Sequence, residues 1–348
     1  RELNEYRSQT RRVDEVRTNG AMGRDLGIKS LAQAYLAAED TARTYYETDA
    51  QGFRTVRSAA PFAAVLCGDS FANNNEFADS LALTTGLSVG NQAIEGRGTL
   101  TMARYLEDRP AAYQHTWLVV WESTQRATVD VFSSLPKRRQ QLRQTAGQGW
   151  QWRESLLWPG NLNTYLNGTT TIGPLLNRVQ KEIKWALLKK HNELIVPGRR
   201  DLPASTAPMM YLGVDEGIKP NPTTPAQLDS IADYIAAVNV DLRHRGQILV
   251  FAVAPEKSLV YPDRLPAGMV ARTNYIPGLT QALQRRGVRV VDVSLGLQQA
   301  AQAHPHTLYY YAADTHWTPR GMAVASRIIA DSLSSWHLQP PALTANTK

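Results

Sequence analysis

The sequence predicts an α/β fold: a three-layer sandwich with a roughly five-stranded parallel sheet, its helices packed on both faces. Short uninterrupted apolar runs such as Phe62–Cys67 and Ile248–Val253 have the texture of strands buried on both sides. These runs alternate with amphipathic stretches of helical period, which is the pattern of parallel strands joined by crossover helices. The 348 residues, 43% hydrophobic and 20% charged, are ample for the core that such a sandwich needs.

Taken in order, residues 1–50 are polar with scattered apolar positions, and alanine-rich Leu31–Tyr46 predicts a helix within an N-terminal helical segment spanning 1–60. The first strand, Phe62–Cys67, ends in Gly68-Asp69-Ser70. A helix over Glu76–Thr85 stops at Gly86, and a short strand over Leu87–Val89 leads to Asn91 and the loop Gly96-Arg97-Gly98. Helix from Thr99 to Glu107 precedes a third strand, Trp117–Trp121, and then a basic helical segment over Val129–Arg143. Residues 146–173 carry Trp150, Trp152, Trp158 and Tyr165 among Gly, Asn and Thr, and Leu175–Leu194 has helical periodicity. Six prolines between 195 and 225 exclude regular structure across most of that stretch, so 146–225 reads as an insertion in a domain spanning 61–340. Alternation then resumes: helix Gln227–Arg243, strand Ile248–Val253, helix Tyr275–Arg286, strand Val288–Val293, and a last helix opening on Pro319.

Composition excludes several classes. No run approaches the ~18 consecutive apolar residues of a membrane span. The single cysteine, Cys67, excludes an intrachain disulfide and a cysteine-clustered zinc site, and its place in an apolar strand makes it core rather than nucleophile. His304 and His306 lack an accompanying carboxylate or thiol set, so no metal and no cofactor is expected. A net charge of +7 permits an anionic partner, but no zinc-finger, Walker or RNP pattern points to nucleic acid. Lys137, Arg138, Arg139 and Arg143 read either as an anion-attracting patch or as a solvated face. The chain opens on Arg1 rather than methionine, which raises the expectation of a fragment or a processed form that has lost a leader or membrane anchor.

Chemistry concentrates in two loops. In open parallel sheets ligands bind beyond the carboxyl ends of the strands, where Ser70 falls, near amides able to receive an oxyanion. Ser70 reads equally as the cap of the following helix. Asp314-Thr315-His316 precedes the last helix. A serine hydroxyl needs a base to take its proton, imidazole suits that task, and a neighbouring carboxylate can orient the ring. A histidine beside Trp317 also reads as a structural one. Arg126 reads either as an anion-binding group or as a salt-bridge partner of Glu122, four residues earlier.

Gly68-Asp69-Ser70-Phe71 resembles the first block of the SGNH (GDSL-type) hydrolase superfamily, and Asn91 to Gly98 resembles its second block. Asp314-Thr315-His316-Trp317-Thr318-Pro319-Arg320-Gly321 is similar to the Asp-x-His-Trp block of the SGNH-like domain in periplasmic alginate O-acetyltransferases, the AlgX/AlgJ family. Pro255-Glu256-Lys257, Trp121-Glu122 with Arg126, and Val291-Asp292-Val293 resemble further segments of that family. The departures are specific. Trp121-Glu122-Ser123 stands where ordinary SGNH hydrolases have Gly-x-Asn-Asp, one residue rather than two separates Asp314 from His316, and the serine block precedes the histidine block, the reverse of the order in the alginate enzymes.

The resemblance implies an O-acetyltransferase acting on an extracellular polysaccharide other than alginate. Ser70 would be the nucleophile, His316 the base and Asp314 its orienting partner, with amides of Ser70 and of Gly96 or Gly98 as the oxyanion hole. Trp317, Arg126, Tyr311 and Asn91 are the expected substrate-binding residues. The implied partners are a polysaccharide acceptor and a membrane-bound acetyl exporter, with a periplasmic location and contact with the inner membrane. A polysaccharide acetyl esterase with the same triad, or a non-catalytic carbohydrate-binding scaffold, are the competing readings.

Overall fold

The computed structural model describes residues 12–16, 43–47, 53–132, 195–212 and 223–338, apart from gaps at 74, 95–97, 108–109, 200, 202–207, 270 and 272–273. Trp150, Trp152, Trp158, the expected helix over Leu175–Leu194 and the basic group Lys137–Arg143 lie outside the described residues. Near the N-terminus, β1 (Arg12–Val16) and β2 (Arg43–Glu47) pair antiparallel. This corrects the expected Leu31–Tyr46 helix over its last residues. Thr44, Tyr45 and Tyr46 are β-branched or aromatic, and such residues favour an extended backbone over a helix.

The main sheet is built from β3 (Ala64–Cys67), β4 (Val89–Asn91), β5 (Leu118–Thr124), β8 (Ile248–Ala254) and β9 (Arg289–Asp292), in the order β4-β3-β5-β8-β9, all parallel. Numbers 6 and 7 belong to a small antiparallel pair, β6 (Ile195–Pro197) and β7 (Met210–Leu212), inside the proline-rich stretch. Each central strand sends alternate side chains to opposite faces, as the pleat requires. Ala64, Leu66, Leu118, Val120, Val250 and Ala252 enter one core, while Val65, Cys67, Val119, Trp121, Leu249 and Phe251 enter the other.

Helices close both cores. The first is covered by α1 (Asn75–Thr85), α7 (Ser294–Ala303) and α8 (Pro319–Ser335), through residues such as Phe77, Leu297 and Ile329. The second is covered by α2 (Gly98–Glu107), α3 (Gln125–Phe132), α4 (Pro225–His244) and α6 (Ile276–Arg285), through Met102, Val129, Ile235 and Leu279. A short α5 (Lys257–Val260) follows β8. Helix α4 starts with a capping box in which Thr224 and Gln227 satisfy each other's backbone amides, a stop–start signal written in the sequence. Gly246 and Gly287, both at φ 71°, end α4 and α6 in the left-handed conformation that glycine adopts without strain. The α/β sandwich is as predicted. Helix α7 was not foreseen, because its Gln/Ala-rich sequence has few apolar positions to mark a period.

The order places the functional end. From β3 the chain moves outward to β4, then crosses back to β5 on the other side and continues to β8 and β9. The crevice between the carboxyl ends of β3 and β5 is therefore the topological switch point, where ligands bind in such sheets. Buried Lys257, just past β8, braces that end. Its ammonium donates to the carbonyls of Met210 (2.8 Å), Tyr311 (2.7 Å) and Ala312 (3.1 Å). Replacing it removes a buried donor from three carbonyls, of which Ala312 also accepts the Met210 amide (2.9 Å). Lys257→Met is expected to lower the unfolding free energy by about 3 kcal/mol, read as a lower urea midpoint at unchanged slope; an unchanged midpoint contradicts this role.

Candidate active site

The serine turn is shaped by its neighbours before any chemistry. A Cβ on Gly68 would fall 2.6 Å from both Ala72 Cβ and Glu122 Oε2, so only glycine allows this approach. Asp69 is buried, and its carboxylate accepts the Phe71 amide through Oδ1 (3.0 Å) and the Thr124 amide through Oδ2 (3.0 Å). Its own amide donates to Glu122 Oε2 at 3.2 Å. The aspartate of the Gly-Asp-Ser motif thus ties the turn after β3 to the end of β5. Ser70 is left half-buried at the rim. It does not cap the next helix, since α1 begins only at Asn75.

The histidine loop is closed by a bridge between Tyr310 and Trp317, with the Tyr311 amide donating to the His316 carbonyl (3.1 Å) and the Thr318 amide to Tyr309 (3.0 Å). Gly321 permits the turn into α8, as a Cβ there would sit 2.1 Å from the Tyr309 carbonyl oxygen. At the loop tip Asp314 Oδ1 lies 2.6 Å from His316 Nδ1 and also accepts the His316 backbone amide at 3.0 Å. This is the side-chain-to-backbone turn that aspartate forms two residues ahead. It explains how a single intervening residue suffices to pair the carboxylate with the ring. With Nδ1 held, Nε2 is the nitrogen available to a serine. The Phe71 ring, next to Ser70, lies 5.0 Å from the imidazole and 5.2 Å from the Trp317 ring, so the two loops pack together. Among the described residues Ser70 and His316 share no hydrogen bond, a contact that commonly tightens only with substrate present.

Gly98 opens α2, and a Cβ on it would come within 3.2 Å of the Asp69 amide nitrogen. The N-terminus of α2, whose first amides have no acceptor within the helix, therefore abuts the serine turn. The Trp121 indole donates to the Gly98 carbonyl (3.0 Å) and fixes it there. Gly96 lies outside the described residues.

Three of the expected substrate-binding residues are structural in this arrangement. Asn91 is buried; it accepts the Ala93 amide (2.9 Å) and donates to the Asn73 carbonyl (3.4 Å). Trp317 is 2% exposed and packs edge-on against Phe77, which leaves no face for a sugar. Tyr311 is buried and spends its backbone on the histidine loop. The reason is common to all: these aromatic and amide groups form the floor that holds the reactive loops. Arg126 stays partly exposed, but its ion pair is with Glu256 (2.7 Å), not Glu122. Helical spacing suggested Glu122, yet α3 starts only at Gln125, so Glu122 is still strand and sits in the core.

Burial pushes the Glu122 carboxyl well above the carboxylate range, and the charge of Asp69 adds to this. Burial likewise pushes the Cys67 thiol far up, which removes it as a nucleophile. Sequence reasoning missed Glu256 and Thr315 as site neighbours.

A family model described as the SGNH hydrolase-like domain of acetyltransferase AlgX matches residues 1–125 and 212–347. The probable alginate O-acetylase AlgJ of Pseudomonas aeruginosa is 31% identical over 131 residues, 37% of this chain and 32% of that protein, so the match spans about a third of the relative's length. The solved Bacillus subtilis protein YXIM aligns over 86% of this chain and 62% of its own at 9% identity, with a TM-score of 0.39, a likeness too slight to argue from.

Asp314→Asn is expected to lower kcat for an acetyl ester by about 10⁴-fold with the fold retained, checked by steady-state kinetics beside circular dichroism. Glu122 gives a pH prediction. Its folded-state pKa lies above the ordinary value of 4.5, so the folded protein holds a proton that the unfolded chain releases. Stability linked to this group is full below about pH 4.5 and is lost as pH rises towards the folded value. Glu122→Gln should remove that loss, so its stability relative to wild type rises as pH climbs above about 4.5 in urea titrations.

Proposed function

The chain belongs to the SGNH hydrolase-like family of acetyltransferase AlgX, and from that premise we propose that it is a serine O-acetyltransferase whose acceptors are hydroxyls of an extracellular polysaccharide. The observation that carries this reading is the 2.6 Å contact between Asp314 and His316, on a loop packed against the serine turn at the sheet's switch point.

The chemistry follows from the geometry. Ser70 Oγ attacks the acetyl carbonyl carbon while His316 Nε2 takes its proton. Asp314 holds the ring and stabilises the imidazolium. The tetrahedral oxyanion is met by the Ser70 amide and the first amides of α2 at Gly98, and one such donor contributes roughly 3–4 kcal/mol. Collapse breaks the bond to the leaving group, which departs with the proton from His316. A sugar hydroxyl then attacks acetyl-Ser70, His316 takes its proton, and the second collapse returns that proton to Ser70 Oγ. Water in place of the sugar gives free acetate, so the acceptor alone separates transferase from esterase.

The reading extends to the protein's setting. The acetyl donor is supplied across the inner membrane by an acetyl-exporting membrane protein, and the reaction takes place in the periplasm. Among the described residues no helix is long and apolar enough to cross a membrane.

The test follows the acetyl group from p-nitrophenyl acetate with a panel of oligosaccharides, using mass spectrometry and Ser70→Ala as control. Acetylated sugar formed by wild type and absent with Ser70→Ala is expected. Free acetate with no acetylated sugar from any member of the panel favours the esterase, and equal turnover by Ser70→Ala contradicts the serine assignment.

A further inference from the structure

Arg126 and Glu256 stand just past the ends of β5 and β8, yet their contacts converge on both reactive loops. Glu256 follows β8 and is 2% exposed. Its Oε1 accepts the Arg126 backbone amide at 2.9 Å, and its Oε2 accepts from the Arg126 guanidinium at 2.7 Å. The Glu256 amide in turn donates to Gln125 Oε1 at 3.0 Å, so the ends of β5 and β8 hold each other through reciprocal bonds. A carboxylate that buried needs such partners, because desolvation of an unpaired charge costs several kcal/mol.

The guanidinium reaches further. Its Cζ lies 5.7 Å from the centre of the Phe71 ring, the residue after Ser70. Its Nη2 lies 3.5 Å from Thr315 Oγ1, the residue between Asp314 and His316. One planar cation therefore touches a neighbour of the nucleophile and a neighbour of the base, while Glu256 fixes its plane from below. The Phe71 ring completes the circuit at 5.0 Å from the imidazole. Ser70 and His316 come from segments far apart in sequence, and their separation depends on whatever links those two loops.

We propose that the Arg126–Glu256 pair is a positioning clamp that sets the separation between Ser70 and His316, acting on the chemical step and not on substrate binding. The proposal rests on the serine–histidine reading above. A displacement of about 1 Å between reacting groups costs on the order of 10²-fold in rate. Lysine in place of Arg126 keeps the charge but loses the fork that spans Glu256 and Thr315 together, so it should restore only part of the rate.

The experiment measures p-nitrophenyl acetate turnover by wild type, Arg126→Met, Arg126→Lys, Glu256→Gln and Ser70→Ala. Rates are expressed per serine titrated with a fluorophosphonate probe, and folding is followed by thermal melts. The expected result for Arg126→Met is a kcat per titrated site about 10²-fold below wild type with KM within about threefold. Arg126→Lys should fall between the two, and Glu256→Gln should follow Arg126→Met in direction. A purely structural role would reduce the titratable fraction and the melting temperature but leave kcat per titrated site unchanged, and that outcome overturns the clamp. A rise in KM at constant kcat also overturns it, by making Arg126 a substrate-binding group. If wild type shows no turnover beyond Ser70→Ala, the serine–histidine reading itself fails and the clamp falls with it; turnover by wild type that Arg126→Met matches per site sinks the clamp alone.

Discussion

The site depends first on the buried carboxylate of Asp69. Its two oxygens accept amides from Phe71 and Thr124, one on each side of the crevice between β3 and β5. Glu122, which donates no charge while protonated, receives the Asp69 amide from beneath. Two ionised carboxylates at that separation would repel each other in a medium of low dielectric, so keeping one neutral lets both remain in the core. With the turn fixed in this way, the serine hydroxyl is held at the rim without being consumed as a cap. The same interaction sets the serine turn beside the start of α2, where a Cβ on Gly98 would come within 3.2 Å of the Asp69 amide nitrogen.

The Asp314–His316 pair is assembled separately and brought to this turn by packing. The Tyr310–Trp317 bridge, the Lys257 ammonium and the tight approach at Gly321 hold a loop whose tip is the Asp314–His316 pair. Phe71 and Trp317 meet edge-on between the two loops, an arrangement that fixes distance better than aliphatic contacts because aromatic edges and faces attract in defined geometries. Aromatic residues that look, in sequence, like sugar platforms are here the masonry of the site. His316, Ser70 and Arg126 stay partly exposed above that floor.

Much of this was legible in the sequence. The parallel sheet was readable because its strands are buried on both faces and so appear as continuous apolar runs, and Ser70, Asp314 and His316 stood out as candidates because turn residues at strand ends break such runs. Partners across the sheet were not. Arg126 finds Glu256, just past β8 and 130 residues away in sequence, and no local spacing encodes that; the four-residue spacing to Glu122 pointed the wrong way because the helix had not yet begun. Burial was equally hidden. Asn91, Tyr311 and Trp317 carry polar or amphipathic groups that look available for ligand, and only the assembled loops show the Asn91 amide and the Tyr311 backbone committed to hydrogen bonds and Trp317 shut into the core. The N-terminal strands were missed for a third reason: an alanine-rich run favours helix locally, while pairing with Arg12–Val16 is a long-range event.

The central claim is that Ser70 carries the acetyl group. Rapid-quench mixing of the protein with excess acetyl ester, followed by peptide mapping, tests it most directly. The account predicts a transient acetyl on the peptide holding Gly68-Asp69-Ser70, formed at the rate of product release and drained faster when an acceptor sugar is present. An acetyl group found on another residue, or turnover that proceeds while Ser70 stays unmodified at every time point, would contradict it.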